Sequence, residues 1–395
     1  MDDSPFARWL RLFSRHLSRR RLGGLATGAL GAFGIDTAVS AKKRRLGKKK
    51  RKKRCRGGTS RCGKTCVNTR TSATHCGGCN QGCSAAEVCL NGACSLYRFV
   101  TAWGSEGDGD EQFSSLNAIA VDGDGNVYGA DTGNHRVQKF DNDGTFVTNW
   151  GSADDEQDPL GNDEFAFPQG IDIAPGGNVL VTDHNHFRVQ TFDSVGTFVD
   201  TWPSQVGGIP FGPEAIAIDT AGNAFVVDRF PNNRIVKFDS NGDDVATLGG
   251  GGSGDGQFQT PEGVAVDAAG NVFVADAGNN RVQKFAPDGQ NPNAYNHVAT
   301  IGGAGDGDGE FNVPAAVEVD GDGNVFVADL GNDRVQKFAP NAQDPHQYEF
   351  VTAWGSPGSG NGEFFRPLDV AVDDDGNVFV ADLDNSRIQK FAPVG

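Results

Sequence analysis

Residues 317–338 read VEVDGDGNVFVADLGNDRVQKF, three short runs of alternating apolar residues separated by turns rich in Gly, Asn and Asp. Alternation with a period of two is typical of half-buried β-strands, and Asp-Gly and Gly-Asn pairs form tight hairpin turns. We name the three runs strand a (VEVD), strand b (NVFVAD) and strand c (RVQKF). The stretch therefore predicts three antiparallel strands joined by two hairpins.

The same phrase occurs six times along the chain. A fourth run, strand d, follows most copies and reads FVTNWG from Phe146, FVDTWP from Phe198, VATLGG from Val245, VATIGG from Val298 and EFVTAWG from Glu349. Repeats of this length with four short strands and no helix predict an all-β fold, a six-bladed β-propeller. The asparagine of the Gly-Asn turn marks each copy, at Asn126, Asn178, Asn223, Asn271, Asn324 and Asn377, with spacings of 52, 45, 48, 53 and 53 residues.

The last copy lacks a strand d, because strand c ends at Phe391 and the chain stops at Gly395. An unassigned strand of the same type, RFVTAWGS from Arg98, stands before the first copy and closely matches EFVTAWGS from Glu349. We therefore predict that residues 97–104 supply the outer strand of the last blade and close the ring. Closure leaves no unpaired sheet edge between the first and last blades.

The repeated phrase resembles the NHL repeat, whose mark runs from GNVYVAD through N-x-R-V-Q-x-F. The resemblance covers the body of the chain, residues 97–395, and implies a propeller domain of NHL-type blades over residues 96–395. It implies little about activity, because the family includes protein and nucleic-acid binders as well as a few lyases and hydrolases on related six-bladed rings.

Charge divides the chain into a basic head and an acidic body. Residues 1–96 carry a net charge of +17, whereas residues 97–395 carry −33. We assign residues 1–41 to a twin-arginine-type signal peptide, on the basis of SRRRLGGLATGALGAFGIDTAVSA and the small residues before Ala41. An amphipathic N-terminal helix is the alternative. A signal peptide predicts an exported, extracytoplasmic protein of bacterial type.

Residues 42–54 contain 11 basic residues and are predicted to be a disordered linker, since like charges repel. Such a linker is also suited to contact an anionic envelope or membrane surface. Residues 55–95 form a short cysteine-rich module that has too few apolar residues for a core, so we predict disulfide cross-links. Zinc held through Cys76 and Cys79 is the alternative. The cysteines are Cys55, Cys62, Cys66, Cys76, Cys79, Cys83, Cys89 and Cys94.

Residues repeated in every blade are expected to be architectural, because catalytic sites are singular whereas packing devices recur. An Asp ends each strand b and an Arg opens the following strand c, a spacing that suits a charge-assisted pair across the b–c turn. The Phe that ends strand c is expected to fill the space between blades. The DGDGN runs at Asp122 and Asp320 and DDDGN at Asp373 are interpreted as a–b turns; calcium is the alternative, although a valine stands where an EF-hand needs glycine.

Recognition is expected where the blades differ. The b–c turns and d–a connections lie on one face of the ring, and variable loops on a rigid repeated scaffold are the usual place for ligand contacts. A metal pair formed by His184 and His186, with His135 as a third ligand, is one hypothesis for this face. The ligand-binding candidates there are His135, His184, His186, Arg229, Phe230, Asn280, Asp333 and Ser386.

Strand a is expected to line the central tunnel, where Asp172, Glu318 and Asp369 are polar in positions that hold Ala or Gly in other copies. These carboxylates are candidate ligands of a cation on the axis, Ca²⁺ or Zn²⁺, although no cofactor is expected. The sequence contains no recognisable nucleophile elbow, Ser-His-Asp set or phosphate-binding loop.

The sequence thus favours an exported, non-catalytic binding or scaffold propeller that recognises a protein, peptide or glycan through the b–c and d–a loops. The alternative is an extracytoplasmic metal-dependent lyase or hydrolase with its site in the tunnel. Nucleic acid is excluded as a partner by the charge of −33 on the body. The same charge favours a soluble monomer.

Overall fold

The computed structural model describes residues 60–62, 65–67, 88–90, 93–153, 161–202, 205–206 and 209–394. The predicted signal peptide, the basic linker and most of the cysteine-rich module lie outside these residues. Ahead of the propeller, Ser60–Cys62 pairs with Thr65–Val67 and Val88–Leu90 pairs with Ala93–Ser95. Cys89 and Cys94, which lie opposite each other in the second hairpin, are both disulfide-bonded.

Six four-stranded antiparallel sheets form the body, in the order a-b-c-d from the axis outward. Strands a of successive blades contact one another around the ring, and strand a of blade 6 contacts strand a of blade 1. The six-bladed, all-β prediction is confirmed. Strands a of blades 1 to 6 are Leu116–Val121, Pro168–Ile173, Pro213–Ile218, Pro261–Val266, Pro314–Val319 and Pro367–Val372.

The remaining strands follow in the same blade order. Strands b are Val127–Asp131, Val179–Asp183, Ala224–Asp228, Val272–Asp276, Val325–Asp329 and Val378–Asp382. Strands c are Arg136–Phe140, Arg188–Phe192, Arg234–Phe238, Arg281–Pro287, Arg334–Pro340 and Arg387–Pro393. Strands d are Phe146–Trp150, Phe198–Trp202, Asp244–Gly249, Tyr295–Ile301, Tyr348–Trp354 and, for blade 6, Tyr97–Trp103.

Short elements occupy the connections. The b–c turns of blades 1, 4, 5 and 6 contain one turn of 3₁₀ helix each, at Thr132–Asn134, Ala277–Asn279, Leu330–Asn332 and Leu383–Asn385. Three d–a connections contain paired two-residue strands: Ser105–Glu106 with Gln112–Phe113, Ser152–Ala153 with Glu164–Phe165, and Gln205–Val206 with Ile209–Pro210.

The a–b turns have the structure that the DGDGN pattern predicts. In blade 1 the Asp122 carboxylate accepts hydrogen bonds from the backbone N–H groups of Asp124 and Asn126, and Gly125 has φ +81°. A positive φ is the conformation that glycine adopts without steric cost. Among the residues that the structure describes, no group of three or more His, Cys, Asp or Glu side chains is arranged to hold a metal ion.

The ring closes as predicted. Strand Tyr97–Trp103 pairs antiparallel with strand c of blade 6, with Trp103 opposite Ile388 and Tyr97 opposite Pro393. The Tyr97 ring stacks on Trp354 of blade 5 at 4.6 Å and 22°, and its hydroxyl accepts a hydrogen bond from Lys337. The first strand of the ring therefore also joins blade 6 to blade 5.

Hydrophobic packing is concentrated between blades. Six clusters of buried side chains lie at the blade boundaries, and the repeated Phe of strand c contributes to each of them. The predicted role of these rings is confirmed. The six residues are Phe140, Phe192, Phe238, Phe285, Phe338 and Phe391.

Replacing Tyr97 by Ala tests the closing strand. We expect Tyr97→Ala to lower the free energy of unfolding by about 3–5 kcal/mol, because it removes a large buried aromatic ring from the boundary between blades 5 and 6. The measurement is urea unfolding followed by circular dichroism. Val100→Ala, three residues along the same strand at an exposed position, is the control and should change stability by less than about 0.5 kcal/mol. Equal effects of the two changes would contradict closure through this strand.

Candidate functional site

The repeated Asp and Arg form a buried hub in every blade, so they belong to the scaffold. In blade 4 the Asp276 carboxylate, which is completely buried, accepts hydrogen bonds from Arg281 Nε at 2.8 Å, from Gln283 and Asn279, and from the backbone N–H of Gln259. The Arg281 guanidinium also donates to two carbonyl oxygens of the d–a connection. The corresponding pairs in the other blades are Arg136–Asp131, Arg188–Asp183, Arg234–Asp228, Arg334–Asp329 and Arg387–Asp382.

Three predicted site residues join neighbouring blades. The residue before each strand c has a left-handed backbone, with φ between 49° and 57°. At this position the Asn280 side chain accepts from the N–H of Val313 in blade 5, and Asp333 accepts from Arg366 in blade 6. His135 Nδ1 lies 3.0 Å from the carbonyl oxygen of Phe165 in blade 2. These contacts assign a structural role to the three side chains.

We call the surface formed by the b–c turns and d–a connections the loop face. On this face, two blade boundaries lack the cross-blade hydrogen bond made by the residue before strand c. Phe187, in blade 2, has no hydrogen-bonding group, and Ser386, in blade 6, makes no such side-chain bond in the described part of the chain. At both boundaries a tunnel carboxylate makes the cross-blade bond: Asp172 accepts from Ile218 N in blade 3, and Asp369 accepts from Ile119 N in blade 1, each at 2.7 Å. Two of the three candidate metal ligands are therefore already engaged with backbone N–H groups.

The boundary between blades 2 and 3 departs from the repeat in a second way. In the other blades a Lys of strand c donates to the next blade and lies over aromatic rings, as Lys284 does with the Pro345 carbonyl and the Phe273 and Tyr348 rings. Blade 2 has Thr191 instead. The boundary between blades 2 and 3 thus lacks both the loop-face contact and the Lys contact, and the b–c turn His184–Phe187 lies on its loop face.

Four charged or titratable side chains meet there, at the tunnel mouth, which we define by His184, Glu214, Arg229 and Glu262. Arg229 lies between the two glutamates, with Nη1 3.5 Å from Glu214 Oε1 and Nη2 3.4 Å from Glu262 Oε1. His184 Nδ1 is 3.7 Å from Glu214 Oε1. Burial raises the pKa of Glu262, an effect that Arg229 opposes and Glu214 reinforces. The mouth therefore holds a partly desolvated charge cluster contributed by blades 2, 3 and 4.

The two histidines of the predicted metal pair have different surroundings. His184 Nδ1 lies 3.0 Å from the Pro213 carbonyl oxygen; because a carbonyl only accepts, Nδ1 carries the hydrogen and neutral His184 keeps its lone pair on Nε2. His186 is largely buried, and its Nδ1 lies 2.8 Å from Asp183 Oδ2, in the place that Asn279 occupies beside Asp276 in blade 4. His184 belongs to the mouth and His186 to the hub of its blade.

Deeper in the tunnel, three carboxyl groups interact. Burial is the main cause that raises the pKa of Asp172 and of Asp369 to about 7 each. Burial, together with repulsion from Asp172 and Asp369, raises the pKa of Glu318 to about 8. Glu318 Oε1 accepts a hydrogen bond from its own neighbour, Val319 N, at 3.0 Å. The carboxyls face the same low-dielectric channel without forming a metal-binding arrangement within the residues described.

Sequence reasoning missed the glutamates of the mouth and several exposed aromatics. Glu214 and Glu262 follow the Pro that opens strand a, a position held by Asn117, Gln169, Ala315 and Leu368 in the other blades. The missed aromatics are Phe167 and Phe365, which lie just before strand a, and Phe187 in a b–c turn; all three are exposed, as is the predicted candidate Phe230. The sequence signal for Glu214 and Glu262 is their acidic character at the second position of strand a, where the other blades have Asn, Gln, Ala or Leu.

Comparison with known proteins agrees with this architecture. The fold defines the chain as a six-bladed β-propeller. A family model described as NHL repeat matches residues 113–140, 165–192, 258–285 and 364–391, in blades 1, 2, 4 and 6. These four blades therefore contain NHL repeats. A second model, the Stigma-specific STIG1-like protein family, matches residues 37–97, most of which lie outside the described residues.

Curated relatives are similar over short segments. Protein brain tumor of Drosophila melanogaster is 26% identical over 149 residues, 37% of this chain and 14% of that protein. Probable peptidyl-alpha-hydroxyglycine alpha-amidating lyase pgal-1 of Caenorhabditis elegans is 37% identical over 93 residues, 22% of this chain and 25% of that protein. The chain thus matches a quarter or less of the length of either relative.

A solved structure, a gluconolactonase from Xanthomonas campestris, superposes with a TM-score of 0.52 at 14% identity, covering 72% of this chain and 88% of that chain. At this identity the likeness concerns the fold alone.

The Glu318 carboxyl predicts an unusual pH dependence of stability. Its pKa is about 8 in the folded chain against an ordinary value of 4.5, so the stabilisation is complete below about pH 4.5 and is lost as the pH rises towards 8. We expect Glu318→Gln to raise the free energy of unfolding at pH 8.5 by roughly 2–4 kcal/mol relative to the parent protein, and to flatten the fall between pH 5 and 8.5.

The measurement is urea unfolding at several pH values. Glu106→Gln, at an exposed position of a d–a connection, is the matched control and should leave the pH profile unchanged. A Glu318→Gln profile parallel to that of the parent protein would contradict the assignment of Glu318 as a desolvated carboxyl.

Proposed function

We propose that the propeller is a non-catalytic binding protein that engages a polypeptide partner through its loop face. The observation that carries this proposal is the distribution of exposed phenylalanines. Phe167, Phe187, Phe230 and Phe365 all lie on the loop face, and Phe230 is 68% exposed. Exposed aromatic rings grouped on one surface are typical of protein interaction sites.

The charge of the loop face indicates the chemistry of the partner. Arg229 and Arg366 are engaged with acidic neighbours, Glu214 and Glu262 for the first and Asp384 for the second. A partner with cationic side chains beside apolar ones would complement this surface. The described acidic residues of the d–a connections are Glu106, Asp108, Asp110, Glu111, Asp163, Glu164, Asp255, Asp306, Asp308, Glu310 and Glu363.

A metal-dependent lyase or hydrolase with its site in the tunnel is a second candidate. The observation that favours it is the raised pKa of Asp172, Glu318 and Asp369, because carboxyls with shifted pKa values often mark functional sites. The names of the lyase and gluconolactonase relatives accord with it. Elemental analysis of the purified protein for Ca and Zn discriminates between the two functions, since the binding propeller needs no bound metal.

We further propose that the chain is exported by the twin-arginine route, that its cysteine-rich module is cross-linked by disulfides, and that the protein works as an extracytoplasmic monomer. The twin arginines and the paired Cys89 and Cys94 support this proposal. Among the described residues, no helix has the length and apolarity needed to cross a bilayer.

Selection of random peptides displayed on phage tests the binding function. We expect the full chain to enrich peptides that combine Lys or Arg with apolar residues, and the double variant Phe187→Ser, Phe230→Ser to bind the enriched peptides at least ~10-fold more weakly, because two exposed aromatic anchors are lost. Calorimetric titration measures the affinity.

Val195→Ser is the matched control, because Val195 is 67% exposed but lies in the c–d turn on the opposite face. It should leave peptide affinity unchanged. Enrichment of no peptides, or equal weakening by Val195→Ser, would contradict binding through the loop face; binding of glycans instead of peptides would replace the partner class.

A further inference from the structure

The charged side chains of the tunnel mouth have hydrogen-bonding capacity that the protein does not use. Arg229 lies 3.5 Å from Glu214 and 3.4 Å from Glu262. In the described part of the chain, however, its guanidinium donates no hydrogen bond and neither carboxylate accepts one. The three side chains are only 23%, 16% and 22% exposed. Charged groups so far withdrawn from water normally have hydrogen-bond partners, so these free donors and acceptors indicate a ligand.

The neighbouring blades show how the same register position is filled elsewhere. Where blades 3 and 4 have Glu214 and Glu262, blades 1 and 2 have Asn117 and Gln169, and the Asn117 amide donates a hydrogen bond to the Gln169 side chain. Side chains at this position of adjacent blades are therefore close enough to contact each other. In blades 3 and 4 the corresponding pair consists of two carboxylates, which repel, and a cationic group bound beside them would relieve that repulsion.

The charges of the mouth define the chemistry of the ligand. Two carboxylates and one guanidinium leave an excess of one negative charge. Burial raises the pKa of Glu262, Arg229 lowers it, Glu214 raises it further and Arg366 lowers it, so charges of blades 3, 4 and 6 act on one another across the mouth. A metal ion suits this cluster poorly, because the guanidinium lies between the two carboxylates. The complementary ligand carries an ammonium group, which donates three hydrogen bonds, next to an acceptor for the guanidinium.

The opposite side of the mouth is apolar. Leu368 has, in blade 6, the position that Glu214 has in blade 3. Leu330 and Leu383 have, in the b–c turns of blades 5 and 6, the position that Arg229 has in blade 3. All three leucines are half-buried. Because equivalent positions of a propeller ring lie at the same depth around the axis, the mouth is charged on blades 2 to 4 and apolar on blades 5 and 6.

We propose that the tunnel mouth binds the free N-terminus of the partner polypeptide. This inference rests on the proposed function and specifies which end of the partner chain the mouth receives. The α-ammonium group is held by the carboxylates of Glu214 and Glu262, and the first carbonyl oxygen accepts a hydrogen bond from Arg229. An apolar first side chain packs against the leucines of blades 5 and 6.

A lysine side chain fits this arrangement less well than an N-terminus. The lysine ammonium stands at the end of four methylene groups, with no acceptor of its own close by. In an N-terminal residue only two carbon atoms separate the ammonium nitrogen from the carbonyl oxygen, which suits a guanidinium that lies within 3.5 Å of both carboxylates. The residues that follow leave the mouth over the b–c turns of blades 2 and 3, where Phe187 and Phe230 are exposed.

Calorimetric titration of the full chain at pH 7 with two charge-matched peptides tests the proposal. The probe is Leu-Gly-Gly-Gln-amide with a free N-terminus, and the reference is acetyl-Leu-Gly-Gly-Lys-amide. Each peptide carries about one positive charge, because the ordinary pKa of an α-amino group is about 8. We expect a dissociation constant of roughly 0.1–1 mM for the probe and at least ~10-fold weaker binding of the reference. Gly in place of the first Leu should weaken probe binding about 5-fold, because less apolar area is buried.

Glu214→Gln and Glu262→Gln each keep the shape of the side chain and remove one carboxylate charge. Each should weaken binding of the probe by ~5-fold or more and leave binding of the reference unchanged. If one variant does not fold, the other is measured alone. Asp322→Asn, at an exposed position of an a–b turn on the opposite face, is the matched control: it makes the same change in net charge and should leave the affinity for the probe unchanged.

Three results would overturn the inference. The first is equal binding of the probe and the reference by the parent protein. The second is unchanged binding of the probe by folded Glu214→Gln and Glu262→Gln variants, and the third is equal weakening by Asp322→Asn, which would attribute the effect to net charge. A chain that enriches displayed peptides but does not bind the probe would contradict recognition of the N-terminus alone, whereas enrichment of no peptides would contradict the proposed function on which it rests.

Discussion

The structure depends on one buried ion pair repeated six times. In each blade a completely buried Asp at the end of strand b holds the Arg that opens strand c, and that Arg extends to the carbonyl oxygens of the preceding d–a connection. A buried carboxylate is tolerated only when all its acceptor positions are filled, so the b–c turn, strand c and the d–a connection are fixed together. The hub therefore holds the irregular loops of this face in fixed positions.

Because the repeated residues belong to this rigid scaffold, a functional site is expected where a blade departs from the repeat. Where the repeat is intact, polar side chains are already hydrogen-bonded within the hub or across blades, as Asp333 and Asn280 are. At the boundary between blades 2 and 3 the usual contacts are replaced, and His184, Glu214, Arg229 and Glu262 gather at the tunnel mouth. At the boundary between blades 3 and 4 the departure is the buried Leu248, which takes the place of the Trp that ends strand d at four other boundaries. The two departures thus differ in chemistry as well as in position.

The fold was predictable because its signals are local and repeated: period-two strands, Gly-Asn turns and a spare strand d at the start of the ring. The candidate site was less predictable from the sequence than the fold. Asn280 and Asp333 looked variable enough for recognition, but their left-handed backbone turns their side chains to the next blade. Glu214 and Glu262 were overlooked because a bulge after the opening Pro of strand a shifts the register that decides which side chains meet at the axis. Which side chains meet at the axis depends on the register of all six strands a, and a single repeat does not reveal it.

The pairing of Trp103 with Ile388 has a consequence for biosynthesis. The first strand of the ring, Tyr97–Trp103, finds its partner only after strand Arg387–Pro393 has been synthesised, so the ring cannot close before blade 6 has been made. Contacts so distant in sequence are slow to form. Until then Tyr97–Trp103 has no neighbouring strand, and an unpaired strand edge is a template for aggregation of the nascent protein.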